Sequence, residues 1–268
     1  MQNTSWVEIS EKAILNNLKE LRKNTGGKVI IAPCIKGNAY GHGIVEMARL
    51  LNNNGINWLC VTSIEEAALL RASKINGKIL IIGPIFVSQA KAIIDLDCHV
   101  FLSDIDLAER LNEYGKTDNS CAKIFIKVDT GMCRQGVTID DLDQFLTRII
   151  PLKNLKIDGI ATHFGTSDDL SDKTVYPSQT KNFKHAIRTL AKHGVHPRYK
   201  CAGNTSVAIR KDDNIYNMVR PGISIYGYYP SEEIKHKYKN IKLKQALTFK
   251  SELPRAKARG LQTYSLFC

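Results

Sequence analysis

Eight short runs of apolar, mostly β-branched residues punctuate this chain, and the segments between them carry helical spacing. The runs fall at residues 28–36, 58–63, 78–84, 99–103, 122–131, 155–165, 198–204 and 218–227. Between them, Ile44, Met47, Ala48 and Leu51, and further on Phe183, Ala186, Ile187 and Leu190, recur at i, i+3, i+4, i+7, which lays one helical stripe against a sheet. Runs apolar on both faces suit parallel strands covered by helices. Eight such units predict an α/β fold of the closed (β/α)8, TIM-barrel type rather than an open doubly wound sheet. No glycine-rich dinucleotide fingerprint follows the first strand to favour the open form.

Composition narrows the class. No run of about 18 apolar residues occurs. The N-terminal "MQNTSWVEISEKAILNNL" carries acids and asparagines where a secretion signal needs an apolar core, so a cytoplasmic protein with no membrane partner is expected. Seven cysteines lie far apart and form no CxxC pair, which indicates neither a disulfide framework nor a zinc site, and no metal is expected. The net charge of +12 suggests nucleic acid at first, yet residues 235–259 hold nine Lys or Arg against Glu252 alone, a net of +8. The basicity belongs to the tail, and without interleaved aromatics a nucleic-acid partner is not expected.

In such barrels the chemistry gathers at the C-terminal ends of the strands. Those ends carry Lys36, Lys127 with Asp129, His163, Asn204 and Arg220. Lys36 opens the stretch "KGNAYGHG". An amine partly desolvated in a barrel mouth suits condensation with a carbonyl, and a snorkelling surface lysine is the plain alternative. Gly37, Gly41 and Gly43 let backbone approach a ligand, and Tyr40 adds a hydroxyl suited to a phosphate. The plain reading of Lys127 and Asp129 is a buried ion pair, and that of His163 a hydrogen bond within the fold.

"KGNAYGHG" resembles the cofactor-lysine motif of alanine racemases. "KVDTGMCRQG" (127–136), "ATHFGTSD" (161–168), "CAGNTSVAI" (201–209) and "MVRPGISIYG" (218–227) resemble the same family in the same order, so the resemblance runs from Trp6 to about Pro230. It implies pyridoxal 5′-phosphate (PLP) joined to Lys36, which also serves as the base on one face of the substrate. It places Tyr40, Thr205, Gly222 and Ile223 at the phosphate and Asn204 beside the cofactor. Arg220 would face the pyridine nitrogen, where a permanently protonated guanidinium disfavours ring protonation and weakens the electron sink. His163 would support Arg220, and Arg134 would lie near the substrate carboxylate. Lys127 matches a lysine that many members carry as a carbamate holding that arginine. Cys133 stands where the family has glycine, so strain is expected there if the backbone needs φ > 0.

The activity implied is that of a PLP-dependent isomerase interconverting L-alanine and D-alanine, for D-alanine biosynthesis and peptidoglycan precursors. The second base implied is a tyrosine from a C-terminal β-domain, presented across a head-to-tail homodimer. "QALTFKSEL" (245–253) reads as the opening strand of that domain. "PRAKARGLQTYSLFC" (254–268) has no strand period, and its Tyr264 lacks the family's "SYG" context. The expected organisation is a PLP-binding barrel over residues 1–230, then a linker and a truncated or divergent start of the β-domain over 231–268. Activity impaired by the loss of one base, typically about 10²–10⁴-fold, goes with that reading, and the homodimer is left open. The alternative is a non-catalytic PLP-binding barrel, a cofactor carrier or remnant. A PLP decarboxylase is disfavoured by the lysine and "RPGISIYG" motifs.

Overall fold

The computed structural model describes residues 4–210 and 215–252. Its elements are, in chain order, β1 (Ser5–Ile9), α1 (Glu11–Thr25), β2 (Ile30–Ile31), α2 (Lys36–Tyr40), α3 (Ile44–Asn53), β3 (Trp58–Val61), α4 (Ile64–Ala72), β4 (Lys78–Ile81), α5 (Ala90–Asp95) and β5 (His99–Leu102). There follow α6 (Ile105–Thr117), β6 (Ala122–Lys127), α7 (Leu142–Ile149), β7 (Leu155–Ala161), α8 (Val175–Lys192), β8 (Tyr199–Gly203), α9 (Thr205–Arg210), β9 (Met218–Val219), α10 (Glu232–Lys237) and β10 (Leu247–Ser251). Each of the eight predicted runs holds one strand. These pair in parallel in the order β2-β9-β8-β7-β6-β5-β4-β3. The two ends of that order meet just past β2. Cys34 pairs with Cys60 in a parallel backbone β-bridge, both thiols free: the Cys60 N–H donates to Pro33 O at 2.8 Å, and the Ile35 N–H donates to Cys60 O at 2.9 Å. The sheet is thereby a nearly closed barrel, as expected.

Strand side chains alternate between two cores. Trp58 and Cys60, Leu80, Phe101, Phe125, Ala161 and Cys201 fill the barrel interior, while Leu59, Val61, Ile79, Ile81, Val100 and Leu102 point outward to the helices. The predicted stripe of α3 is buried whole, as are Phe183, Ala186 and Leu190 of α8, with Ile187 at the margin. Gly159 of β7 makes room for the interior: a β-carbon there would lie 2.3 Å from the Phe125 ring. At the N-terminal end of the barrel, Trp58, Phe125, Tyr199 and His99 form an aromatic plug. His99 Nε2 meets Asp158 Oδ2 at 3.0 Å, yet burial outweighs that partner and pushes the imidazole down to about 4.

Outside the barrel, β1 pairs antiparallel with β10, Ser5 opposite Ser251 and Ile9 opposite Leu247. The strand expected within 245–253 therefore forms, and its partner is the N-terminal segment. The stretch 254–268, with Tyr264, lies outside the described residues. No helix among the described residues is long and apolar enough to cross a membrane.

Candidate active site

The "KGNAYGHG" stretch has an uncommon backbone. Gly37, Asn38 and Ala39 have φ of 60°, 53° and 55° with ψ of 49°, 44° and 45°, and Tyr40 has φ of 54°, so α2 is a single turn of left-handed helix. Left-handed α geometry costs an L residue about 1–2 kcal/mol, with glycine exempt and asparagine partly so. Surrounding contacts hold it. The Ala39 N–H donates to Ile35 O at 2.8 Å, and the Gly43 N–H to Asn38 O at 3.0 Å. Asn38 Oδ1 accepts the Ile44 N–H at 2.9 Å, which caps α3 from a distance. The buried His42 Nδ1 faces only the carbonyls of Ala39 and Tyr40, at 3.1 and 3.2 Å, and must donate to them. Gly37, Gly41 and Gly43, with φ of 60°, 87° and 87°, are thus explained by handedness, whereas the sequence suggested close approach to a ligand.

The turn leaves Lys36 half-buried on a cavity of about 410 Å³ at the C-terminal ends of the strands. Lys36, Tyr40, Lys127, Arg134, His163, Asn204, Thr205, Arg220, Gly222 and Ile223, ten of the residues singled out in the sequence, all line it, while Asp129 and Cys133 do not. Four are basic side chains, and Asp168 is the one carboxylate among the lining residues. A larger cavity of about 650 Å³ opens at the opposite end of the barrel, beside Trp58 and Tyr199, and none of the ten reaches it.

Arg220 is 5% exposed and meets no carboxylate among the described residues: Nη1 donates to Cys201 O and Sγ, both at 2.9 Å, Nη2 to Thr162 O at 2.9 Å, and the guanidinium lies 5.3 Å from the Phe101 ring centre. His163, expected to support Arg220, makes no hydrogen bond to it; the guanidinium is carried by two strand-end carbonyls and a thiol instead. Burial first, then the charges of Arg220, Arg134 and Lys127, push His163 down to about 3, so it is a neutral imidazole. Asn204 is the N-cap of α9, its Oδ1 accepting the Val207 N–H at 3.1 Å while its Nδ2 donates to Phe164 O and Ser167 Oγ. Thr205 Oγ1 accepts the Gly222 N–H at 3.0 Å, and a β-carbon on Gly222 would approach Tyr40 Oη to 2.8 Å. Two hydroxyls and a bare backbone thus converge there.

The loop after β6 closes at its neck through the bridge of Val128 with Val137. Its shape overturns the ion-pair reading of Lys127 and Asp129. Asp129 Oδ1 accepts the N–H groups of Gly131, Met132 and Cys133 at 2.9, 2.9 and 3.1 Å, tying the loop that carries Arg134. Lys127 Nζ instead donates to Val128 O at 3.3 Å and Gln135 O at 3.1 Å. Burial, reinforced by Arg220 and Arg134, pushes this amine down to about 7. Cys133 has φ of 56°, the strained geometry anticipated for a cysteine at that position. Sequence reasoning missed Glu66, whose carboxylate accepts the Gly37 N–H, although "SIEE" (63–66) carries a capping-box pattern. It also passed over Asp168, within a quoted motif, and Cys34, which lines the cavity.

Residues 9–230 match the family model for the alanine racemase N-terminal domain. The chain belongs to the alanine racemase N-terminal-domain family. Alanine racemase 2 of Caldanaerobacter subterraneus subsp. tengcongensis is 34% identical over 248 residues, which are 92% of this chain and 63% of that protein. The alanine racemase of Clostridium perfringens strain SM101 is 37% identical over 250 residues, 92% of this chain and 64% of that one. The chain thus spans less than two thirds of the length of these family members. Among solved structures, alanine racemase from Clostridium difficile 630 in complex with cycloserine superposes with a TM-score of 0.87 at 29% identity, over 94% of this chain and 68% of that chain. The Bacillus anthracis alanine racemase with bound L-Ala-P gives 0.86 at 29% identity, over 93% and 64%.

Proposed function

We propose that this barrel binds PLP through Lys36 and serves the interconversion of L- and D-alanine in the cytoplasm, with residues 1–230 as the cofactor-binding unit. The observation that carries the reading is the convergence of ten family-motif residues on one cavity, with a single lysine at its mouth and a buried guanidinium at its floor. The cavity suits a phosphorylated pyridine aldehyde. Lys36, Arg134, Arg220 and the half-neutral Lys127 against one carboxylate favour an anion, and the hydroxyls of Tyr40 and Thr205 both lie against Gly222, where they can donate to phosphate oxygens. PLP, when bound, supplies an aldehyde for an amine and a ring that draws electrons from the substrate Cα.

The chain's own groups then have distinct tasks. Lys36 presents the amine that condenses with the aldehyde and moves a proton at the substrate Cα. Tyr40, a phenol that keeps its proton at neutral pH, would donate with Thr205 to the phosphate, beside the backbone of Gly222 and Ile223. Arg220, charged throughout, would keep a proton off the ring nitrogen and so moderate the electron pull that the ring supplies. Arg134 receives the substrate carboxylate. Lys127, about half neutral at pH 7, is the amine suited to take up carbon dioxide as a carbamate facing Arg134, with release of a proton. Borohydride reduction of PLP-treated protein and peptide mapping should place the label on Lys36; a label elsewhere, or none, overturns the cofactor assignment. Formation of D-alanine from L-alanine by the PLP-loaded chain tests turnover, and none while PLP is bound would leave cofactor binding as the barrel's function.

A further inference from the structure

Glu66 stands three residues beyond Ser63, the N-cap of α4, whose Oγ accepts the Glu66 N–H at 3.4 Å. In a reciprocal capping box the glutamate would return to the N-cap amide. Here its carboxylate goes elsewhere. Oε2 takes the Thr62 N–H at 2.7 Å, at the end of β3, and Oε1 leaves its own βα unit to take the Gly37 N–H at 2.6 Å. Both bonds are short and charge-assisted. The Gly37 amide belongs to the peptide joining it to Lys36, so the direction of that N–H fixes the peptide plane from which the Lys36 side chain departs. Gly37 is also the exposed first residue of the left-handed turn, where water would otherwise compete for the amide.

We propose that Glu66 is a positioning residue: its carboxylate ties the Lys36–Gly37 peptide to the end of β3 and thereby aims the Lys36 amine into the cavity. The proposal deepens the reading of Lys36 as the cofactor lysine and rests on it. Both partners of Glu66 are donors, which demands an acceptor on each oxygen. Glutamine offers one acceptor and turns its NH2 against the other N–H, so Glu66→Gln keeps the shape and breaks one link. Glu66→Asp keeps the charge and falls a methylene short.

The test compares wild type, E66Q, E66D and Ser63→Ala, which removes the α4 cap without touching Gly37. Amide hydrogen exchange at Gly37 and the rate of reductive methylation at Lys36 by formaldehyde and cyanoborohydride are read by peptide mapping on the PLP-free protein. Exchange at Gly37 should quicken about tenfold in both Glu66 variants, the loss of one charge-assisted bond. Methylation of Lys36 should quicken with it, while S63A, at an equal or greater loss of melting temperature, leaves both rates near wild type. The idea fails if E66Q matches wild type in both rates, or if S63A reproduces both changes. Reduction with PLP and borohydride is run in parallel. If wild type takes no label on Lys36 the cofactor reading falls, and the exchange and methylation rates still decide the role of Glu66.

Discussion

Replacing Lys127 with methionine should erase a pH dependence from the stability of this protein. The side chain is 4% exposed, its ammonium bonds only to carbonyls, and two arginines stand near it. Burial holds the folded amine at about 7 against 10.5 for an unhindered lysine. The unfolded chain therefore binds the proton over the window from 7 to 10.5 while the folded chain has released it. Stability contributed by this group is lowest below pH 7 and rises with pH until the unfolded lysine also titrates. Each unit is worth about 1.4 kcal/mol, and because half of the folded amine is already neutral at pH 7, the gain between pH 7 and 9 is about 2 kcal/mol. Urea unfolding at pH 7, 8 and 9, in degassed carbonate-free buffer so that no carbamate forms, measures it. The difference between wild type and K127M should move by that amount in favour of wild type as pH rises. Parallel profiles for the two proteins would refute the reasoning.

Three further outcomes are expected. Gly159→Ala drives a methyl into the Phe125 ring and should cost about 1–3 kcal/mol in urea unfolding, and a smaller loss would show that the interior layer yields more than its packing indicates. His99, held near 4 inside while the unfolded chain titrates near 6.5, makes the unfolded state the better proton binder between those values. Stability should then fall by about 3 kcal/mol as pH drops through that window, and less in His99→Gln, with identical acid profiles counting against it. Cys133→Gly removes a β-carbon from a position at φ 56° and should raise the melting temperature by the equivalent of about 1 kcal/mol, whereas a loss would mean that the thiol makes a compensating contact.

What the sequence revealed follows physical rules that act over short distances. The eight strands were legible because their buried faces impose unbroken apolar runs, and Lys36, Lys127, His163, Asn204 and Arg220 stood out because polar groups at strand ends have no packing reason to be there, while Arg134, Thr205, Gly222 and Ile223 came only from the family resemblance. β1 went unseen: in "SWVEI" Trp6 is half-buried and the other four residues are exposed, so no periodicity marks it. The Lys127 and Asp129 pair failed as a reading because it assumed a strand continuing past Val128, where the chain instead turns and Asp129 gathers three loop amides. Glu66 was missed, and even its capping-box pattern would have pointed only to α4, because its decisive partner, Gly37, lies 29 positions away and belongs to the fold rather than to the pattern. Glycines in the lysine motif announced conformational freedom without saying which hand the backbone would take.

That hand narrows the alphabet open to positions 38–40. A screw of reversed chirality suits mirror-image residues, so a D-alanine introduced at position 39 by semisynthesis would sit there at ease where L-Ala39 is strained. Valine, isoleucine or threonine at these positions would unwind the turn, and the Lys36 amine just before it would lose its aim along with it.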